Sequence, residues 1–172
     1  IDARKGIDLL LRAFTAARPR LRETDRLLLM GPVHRDIRKL LDHDWNNDIV
    51  AGRIVVIDRH LTAAEIGTSL AAMDLVCTPY PYHLHSASIV IRAALASRPV
   101  LGSAIGWMQH TIERFRLGAT CNVLDLEEFS QAIVSSLDTA DEYELNEAAR
   151  RFTEFHAASN FVAHWVARLS ER

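Results

Sequence analysis

Cysteine is scarce in this chain of 172 residues, which contains only Cys77 and Cys121. Each cysteine stands within a short apolar run, and the pair lacks the spacing that ligands of a structural metal site share. Two thiols also exclude a disulfide-rich fold. We therefore expect both cysteines to be buried and reduced.

An excess of charge of one sign and long hydrophobic runs are missing as well. The 20 Lys and Arg against 22 Asp and Glu leave a formal net charge of −2, which excludes an overall basic field for nucleic acid. No apolar run approaches the roughly 18 residues of a membrane helix, and the opening IDARKG lacks the core of a signal peptide. We expect a cytoplasmic chain that has no nucleic-acid partner and no membrane-spanning segment. Any contact with a membrane surface is expected to be made by a domain outside these residues.

The composition is that of an ordinary globular protein, 49% hydrophobic and 24% charged, with alternating helical and strand patterns. The strand patterns are short continuous apolar runs, which are typical of a parallel sheet covered by helices on both faces. We predict strands at 26–31, 53–58, 75–77, 99–102 and 120–125, and helices at 5–18, 33–45, 62–73, 86–97, 106–118, from about 126, from about 140, and at 160–170. The order predicts one doubly wound, Rossmann-like α/β domain over residues 1–172, in which 140–172 form C-terminal helices.

Several residues predict where these elements begin and end. Thr62 and Glu65 form a T-x-x-E capping box, and Gly118 suits a left-handed helix C-terminus. Asp125 and Thr139 are expected to head the helices near 126 and 140. A helix preceded by only five residues opens the chain, whereas such a domain normally opens with a strand. We therefore expect the first strand upstream of Ile1.

Candidate phosphate ligands stand at predicted helix starts. In open α/β sheets, ligands bind beyond the carboxyl ends of the strands, where helix starts present unpaired amides. Arg4 and Lys5 precede such a start and either grip a diphosphate or are solvated surface cations. Ser86 and Ser88 stand at another start and either cap the helix or donate to a phosphate. Gly31 after a strand permits close backbone approach, although a turn needs the same residue.

Other kinds of site are not predicted. His83 and His85 form an H-x-H pair, but no third ligand stands at a suitable spacing, so we expect no metal. His60 is expected to line a cleft rather than to act as a base. A P-loop, a G-x-G-x-x-G turn and a G-x-S-x-G elbow are all absent from the sequence. The chain thus offers phosphate-binding geometry without recognisable nucleophilic machinery.

Taken in order, the segments RKGIDLLLRAF, LLLMG, IVVIDRHLTAAEI, MDLVCTPY, RAALASRPVLGS and IGW resemble the donor-binding, C-terminal half of GT-B glycosyltransferases, most like glycosyltransferase family four. The resemblance runs from residue 4 to about residue 137. It implies a domain that binds a nucleotide diphosphate sugar as donor, with no metal or other cofactor, and a preceding acceptor domain. The sugar would pass to an unknown acceptor with retention of its anomeric configuration.

The resemblance also implies roles for individual residues. Those matching the diphosphate-binding positions are Arg4, Lys5, Ser86, Ala87 and Ser88. Those in the region of the base and ribose are Gly31, Arg59, His60, Leu61 and Arg92.

The chain departs from the family at two important positions. Family four carries two glutamates eight positions apart, and counting back from Pro99 places Leu84 and Arg92 there. Ser97 replaces a family glycine. Because arginine has only donors, Arg92 either donates to ribose oxygens, places its charge near a phosphate, or bonds carbonyls or an acidic neighbour in a structural role. No catalytic residue is assigned.

Two alternatives to a transferase follow from the same patterns. The first is a degenerate GT-B-like domain that binds a nucleotide or a protein without transferring sugar, and the absence of both glutamates favours it. The second is another GT-B-like enzyme such as a nucleotide-sugar epimerase, since the doubly wound pattern alone does not exclude it.

Overall fold

The structure is a computed structural model that describes residues 1–160, Val162 and Val166. The strands are β1 (Leu27–Met30), β2 (Ile54–Ile57), β3 (Val76–Thr78), β4 (Val100–Ser103) and β5 (Gly118–Cys121). The helices are α1 (Ile7–Ala17), α2 (Arg35–Asp44), α3 (Asn46–Val50), α4 (Ala63–Ala71), α5 (Ser88–Leu95), α6 (Gly106–Phe115), α7 (Leu126–Asp138) and α8 (Glu147–His156). Single 3-10 turns lie at Ala3–Lys5, Arg18–Arg20 and Ala140–Glu142.

The strands are parallel and form two hydrogen-bonded sheets. β1 pairs with β2, with Leu27 opposite Ile54. In the other sheet β4 lies between β3 and β5, with Val100 opposite both Val76 and Gly118. The predicted α/β fold with parallel strands is confirmed, and the described strands divide into two sets instead of one continuous sheet.

Helices cover both faces of these strands. All four residues of β4 are buried, and successive side chains of a strand point to opposite faces. Val100 accordingly belongs to a core formed with α5, α6 and α8. Leu101 belongs to a second core formed with α1 and α7. A strand buried from both sides explains why the sequence shows a continuous apolar run there.

The end of α6 differs from the prediction. The helix stops at Phe115, and Arg116 takes the left-handed conformation with φ 52°. Gly118 instead begins β5 opposite Val100, where a Cβ would lie 2.0 Å from the Val100 carbonyl oxygen. The glycine is therefore required by close strand packing rather than by a helix terminus.

The start predicted near residue 140 for the next helix is wrong, because that helix, α8, begins at Glu147. The Thr139 hydroxyl donates to the carbonyls of Ser135 and Ser136 at the end of α7, and it does not cap the single 3-10 turn that follows at Ala140–Glu142. The next helix, α8, is capped by Asn146, whose side chain accepts from the Ala149 amide at 3.0 Å. The helix predicted at 160–170 falls almost wholly outside the described residues.

Both cysteines are free thiols, Cys121 buried and Cys77 partly so. Burial raises the pKa of each thiol to about 12. In the part of the chain that the structure describes, none of the helices combines the length and the apolar character needed to span a bilayer.

Candidate functional site

The loop of residues 79–87, between β3 and α5, joins the starts of three helices. The first is α1, whose N-cap Gly6 has φ 64°. A Cβ at Gly6 would lie 1.9 Å from the carbonyl oxygen of Pro79, the residue directly after β3. The backbone of this helix start therefore packs directly on the loop, and a side chain at position 6 is excluded.

The start of α6 packs on the same loop. The Trp107 amide donates to the Leu84 carbonyl at 3.2 Å, and a Cβ at Gly106 would lie 2.9 Å from the Leu84 Cα. The loop itself leads into α5 at Ser88. The starts of α1, α5 and α6 thus lie along one continuous segment, beyond the carboxyl ends of the parallel strands.

These three helix starts lack side-chain caps. Their N-cap residues, Gly6, Ala87 and Ile105, make no side-chain hydrogen bond to the helix. The first amides of a helix have no partner within the helix, so amides at these starts, apart from that of Trp107 which donates to Leu84, are open to a ligand. We call α1, α5 and α6 the inner helices.

The remaining described helices of eight or more residues are capped, and we call them the outer helices. Thr62 accepts from the Glu65 amide, Asp125 from the Glu128 amide and Asn146 from the Ala149 amide. α2 is capped more weakly, by a 3.4 Å contact from the Asp36 amide to His34. Among the described helices of this length, side-chain caps therefore occur on the outer helices and not on the inner ones.

Neither serine at the start of α5 caps the helix. Ala87 is the N-cap and Ser88 is the first helical residue. Both Ser86 and Ser88 are exposed, and among the described residues their hydroxyls make no hydrogen bond. The carbonyl of Ser86 contacts His83 Nε2 at 3.2 Å. Of the two roles predicted for these serines, capping does not occur in this structure.

The basic residues near the loop differ in their partners. Arg4 contacts the Asp2 carboxylate at 3.1 Å, and this hydrogen bond lowers the pKa of Asp2. Lys5 is exposed and makes no ion pair with any described residue. Arg92 is exposed on α5, one turn after Ser88, and its guanidinium likewise has no partner in the described part of the chain. Lys5 and Arg92 therefore keep their charges available.

Of the residues predicted to meet the base and ribose, Arg92 lies on α5, and the others lie at the ends of β1 and β2. Gly31, with φ 117°, follows β1 and donates its amide to the Ile57 carbonyl at 3.0 Å. Arg59 donates to Glu65 Oε1 at 2.7 Å and to the carbonyl of the neighbouring His60. The Arg59 hydrogen bond, followed by those from Thr62, lowers the pKa of Glu65 to about 2. The Arg59 guanidinium is therefore already paired with Glu65, in the first turn of α4.

The structure groups the predicted residues into two sets at the carboxyl ends of the strands. Arg4, Lys5, Ala87 and the two serines lie around the loop of residues 79–87. Gly31 and residues 59–61 lie beyond the other sheet. Sequence reasoning assigned no ligand role to Gly106, although a glycine at a helix start with no Ser, Thr, Asp or Asn before it is a signal for an open start.

The histidine pair of the loop packs with an aromatic ring. Tyr80 and His83 meet edge to face with centroids 5.6 Å apart, and the His83 and His85 rings are 6.1 Å apart. Within the described residues, no group of three or more His, Cys, Asp or Glu is placed to hold a metal ion. The absence of a required metal stays a prediction.

A separate cavity of about 320 Å³ lies at the amino ends of β1 and β2. Its lining includes Phe14, Arg18, Asp25 and Arg53, and Arg18 contacts Asp48 at 3.1 Å. None of the predicted site residues lines this cavity, which therefore belongs to the opposite end of the strands.

The chain matches known proteins in sequence family and in fold. A family model described as "Glycosyl transferases group 1" matches residues 1–139. No curated protein matches the chain in sequence.

Solved structures of three proteins share the fold. Anabaena Alr3699/HepE in complex with UDP and glucose has a TM-score of 0.78 at 16% identity, covering 100% of this chain and 46% of that one. Sucrose-phosphate synthase from Thermosynechococcus elongatus has a TM-score of 0.73 at 19% identity, covering 99% and 43%. WaaG, a glycosyltransferase involved in lipopolysaccharide biosynthesis, has a TM-score of 0.67 at 20% identity, covering 88% and 39%. The chain thus spans less than half the length of these structures.

Proposed function

The chain belongs to the glycosyl transferases group 1 family, and from this premise we propose that it is the donor-binding half of a glycosyltransferase that uses a nucleoside diphosphate sugar. The observation that carries the proposal is the convergence of three uncapped helix starts on the loop of residues 79–87. The HepE structure, which is similar in fold, is a complex with UDP and glucose. The acceptor site then lies in a preceding domain.

The diphosphate is proposed to bind at the open helix starts. Helix N-termini carry a partial positive charge and point their free amides at an anion. Lys5 adds a mobile ammonium beside the start of α1, and the Ser88 hydroxyl adds a donor at the start of α5. These groups stabilise the negative charge that grows on the leaving diphosphate as the bond from the anomeric carbon to the phosphate oxygen breaks.

Arg92 is proposed to contact the same anion. Side chains of a helix lean toward its N-terminus, so Arg92, one turn after Ser88, is directed back toward the start of α5. A guanidinium cannot accept a hydrogen bond from ribose hydroxyls as a carboxylate does. Its five donors suit phosphate and ribose oxygens instead, and the lack of a structural partner for Arg92 favours this ligand role.

The base and ribose are proposed to lie over Gly31 and residues 59–61, at the ends of β1 and β2. Because Glu65 holds the Arg59 guanidinium, we expect the backbone of this loop, rather than the Arg59 charge, to face the base. Transfer would proceed with retention, without a metal, on the cytoplasmic side. The group that accepts the proton of the attacking hydroxyl is not among the residues assigned to the donor site.

A titration calorimetry panel of UDP, GDP, ADP and TDP on the natural full-length protein tests the proposal. We expect one nucleotide to bind, and Lys5→Ala and Arg92→Ala each to weaken it about 10-fold, which corresponds to the loss of one charge-assisted hydrogen bond. Lys39→Ala, which removes an exposed lysine of α2, is the matched control and should bind like the parent. Failure of all four nucleotides to bind would overturn the proposal, and parental affinity of Arg92→Ala would remove Arg92 from the site.

A second candidate function is nucleotide binding without sugar transfer. Leu84 and Arg92 occupy the positions where the resembling family keeps its glutamates, and this observation favours it. Turnover assays with the full-length protein across a broad panel of donors and acceptors separate the two functions. Release of nucleoside diphosphate with formation of a glycoside supports the transferase, and binding with no turnover supports the second candidate.

A further inference from the structure

Two loops follow the neighbouring strands β1 and β2, and we call residues 31–34 the β1 loop and residues 58–61 the β2 loop. The last backbone bond between the two chain segments runs from the Gly31 amide to the Ile57 carbonyl. The chain turns directly after β2, where the Arg59 amide donates to that same carbonyl at 3.1 Å. Among the described residues, the two loops share no backbone hydrogen bond with each other. Their spacing therefore depends on side chains.

The Asp58 carboxylate connects the two loops. Its Oδ1 accepts from the Val33 amide at 2.8 Å, and its Oδ2 accepts from the Arg38 guanidinium on α2. The Val33 hydrogen bond, followed by that from Arg38, lowers the pKa of Asp58. Because an ionised carboxylate only accepts hydrogen bonds, it suits both donors. One side chain thus joins the end of β2 to the loop after β1 and to the helix that follows that loop.

The β1 loop is held by hydrogen bonds from two directions. In one of them, the His34 amide donates to the Ile1 carbonyl at 2.9 Å. In the other, the Asp58 carboxylate holds the Val33 amide. The β2 loop is itself attached to α4, since Arg59 donates to Glu65 at 2.7 Å. Removal of the Asp58 carboxylate would therefore free the β1 loop from the β2 loop and leave the β2 loop attached to α4.

The surface formed by the two loops is open, and its charged side chains are already paired. A Cβ at Gly31 would have no atom of the described residues within 4 Å apart from its chain neighbours, and Pro32 and His60 are exposed. Both oxygens of Asp58 and the guanidinium of Arg59 have protein partners. The backbone groups of the loops are thus left to meet a ligand. Such groups recognise a flat base only when the loops that carry them stand at a fixed spacing.

We propose that Asp58 is a positioning residue for the nucleobase, an inference that rests on the proposed function. Its carboxylate sets the spacing of the β1 and β2 loops, so that their backbone groups stand ready for the base before it binds. A loop that is already ordered binds more tightly, because less conformational entropy is lost on binding. The diphosphate is proposed to bind at the starts of the inner helices, so Asp58 has no direct part in holding it.

Paired titrations of the natural full-length protein with nucleotides and with pyrophosphate test the proposal. Asp58→Ala should weaken the tightest-binding of UDP, GDP, ADP and TDP by about 10-fold, the order expected when one further loop residue must be ordered on binding. Pyrophosphate lacks the base and the ribose, so its affinity should stay that of the parent. This split between the two ligands separates positioning of the base from a general weakening of the fold.

Two further variants sharpen the test. Asp42→Ala is the matched control, because Asp42 is the other carboxylate that contacts Arg38, at 3.9 Å on the same helix. It should bind both ligands like the parent. In Asp58→Asn, the amide oxygen can still accept from the Val33 amide, whereas the NH2 group cannot accept from Arg38. We expect this variant to lose about 3-fold in nucleotide affinity, which corresponds to one hydrogen bond instead of two.

The outcomes distinguish this inference from the proposed function. Parental nucleotide affinity in Asp58→Ala would overturn the inference and leave the proposed function standing. Equal losses for the nucleotide and for pyrophosphate would also overturn it, since a role in the fold alone weakens both. Failure of all four nucleotides to bind the parent would overturn the proposed function and this inference with it.

Hydrogen exchange of the Val33 amide tests the connection between the loops without any ligand. We expect exchange to be about 10-fold faster in Asp58→Ala than in the parent, because the amide loses its acceptor and the loop opens more often. Exchange in Asp42→Ala should equal that of the parent. Equal exchange in Asp58→Ala and the parent would contradict the role of Asp58 in holding the β1 loop.

Discussion

The inner and the outer helices differ at their first turns, although helices of both kinds contribute to each of the two buried cores. The outer starts close their free amides with Thr62, Asp125 and Asn146. The inner starts place Gly6, Ala87 and Ile105 at the cap position and give the first amide of each helix no side-chain partner. An N-terminal cap contributes about 1 kcal/mol to stability, so the inner helices forgo that contribution where a ligand would supply the partners.

The largest expected effect concerns the two kinds of helix glycine. Gly6→Ala, at an inner start, should cost about 3 kcal/mol, because it combines a left-handed backbone with a Cβ clash on the Pro79 carbonyl. Gly67→Ala, inside the outer helix α4 where a Cβ meets nothing within 4 Å, should stabilise the fold by about 0.8 kcal/mol. Urea unfolding of both variants measures the difference. Similar unfolding free energies for the two variants would contradict the packing of the α1 start on Pro79.

An intermediate effect on stability is expected when alanine replaces Asp125 at the start of an outer helix, compared with Ser88 at the start of an inner helix. Asp125→Ala removes a cap and should cost about 1 kcal/mol of unfolding free energy, while Ser88→Ala should stay within about 0.5 kcal/mol. In nucleotide titrations we expect Ser88→Ala to lose more affinity than Asp125→Ala, because Ser88 is a proposed ligand contact and Asp125 caps an outer helix. If Ser88→Ala were the more destabilising variant, the inner start of α5 would be a capped start after all.

The smallest expected effect is a pH dependence at the outer start of α4. The pKa of Glu65 is about 2 in the folded chain and lies below its ordinary value of 4.5. Its carboxylate therefore contributes stability that is fully present above about pH 4.5 and is lost as the pH falls toward 2. Urea midpoints of the parent between pH 6 and 2 should fall more than those of Glu65→Gln. Because the Glu65 side chain is still 39% exposed, solvent screening should keep the difference small. Parallel curves for parent and variant would contradict it.

The alternation of elements could be predicted from the sequence because buried parallel strands leave continuous apolar runs, as in Pro99 to Gly102. The caps at Thr62 and Asp125 were predictable because their residue types act locally. Thr139 was not, because the same hydroxyl can equally donate back to the last turn of α7. Gly118 was misassigned because its reason lies in Val100, a partner 18 residues earlier in the chain.

The places of the candidate residues in the fold could be predicted from the sequence, but their hydrogen-bond partners could not, and their binding roles stay predictions. The residues at strand ends follow from the topology, and both serines and Lys5 lie near helix starts as expected, whereas the exposure of Arg92 is shown only by the structure. The ion pairs that occupy Arg4 and Arg59 could not be foreseen, since an arginine beside a carboxylate in sequence does not show which way its side chain turns. The open inner starts had a weak signal, namely glycine and apolar residues where caps are usual.

The most direct test of the account is a map of backbone amide shifts in the full-length, nitrogen-15-labelled protein during titration with pyrophosphate. The account predicts the largest shifts at Ile7, Ser88 and Gly106, the first residues of the three inner helices. The capped amides of Glu65, Glu128 and Ala149 should stay in place. Shifts confined to the outer starts, or no shifts at any helix start, would contradict the claim that the inner helices leave their amides open for a phosphate ligand.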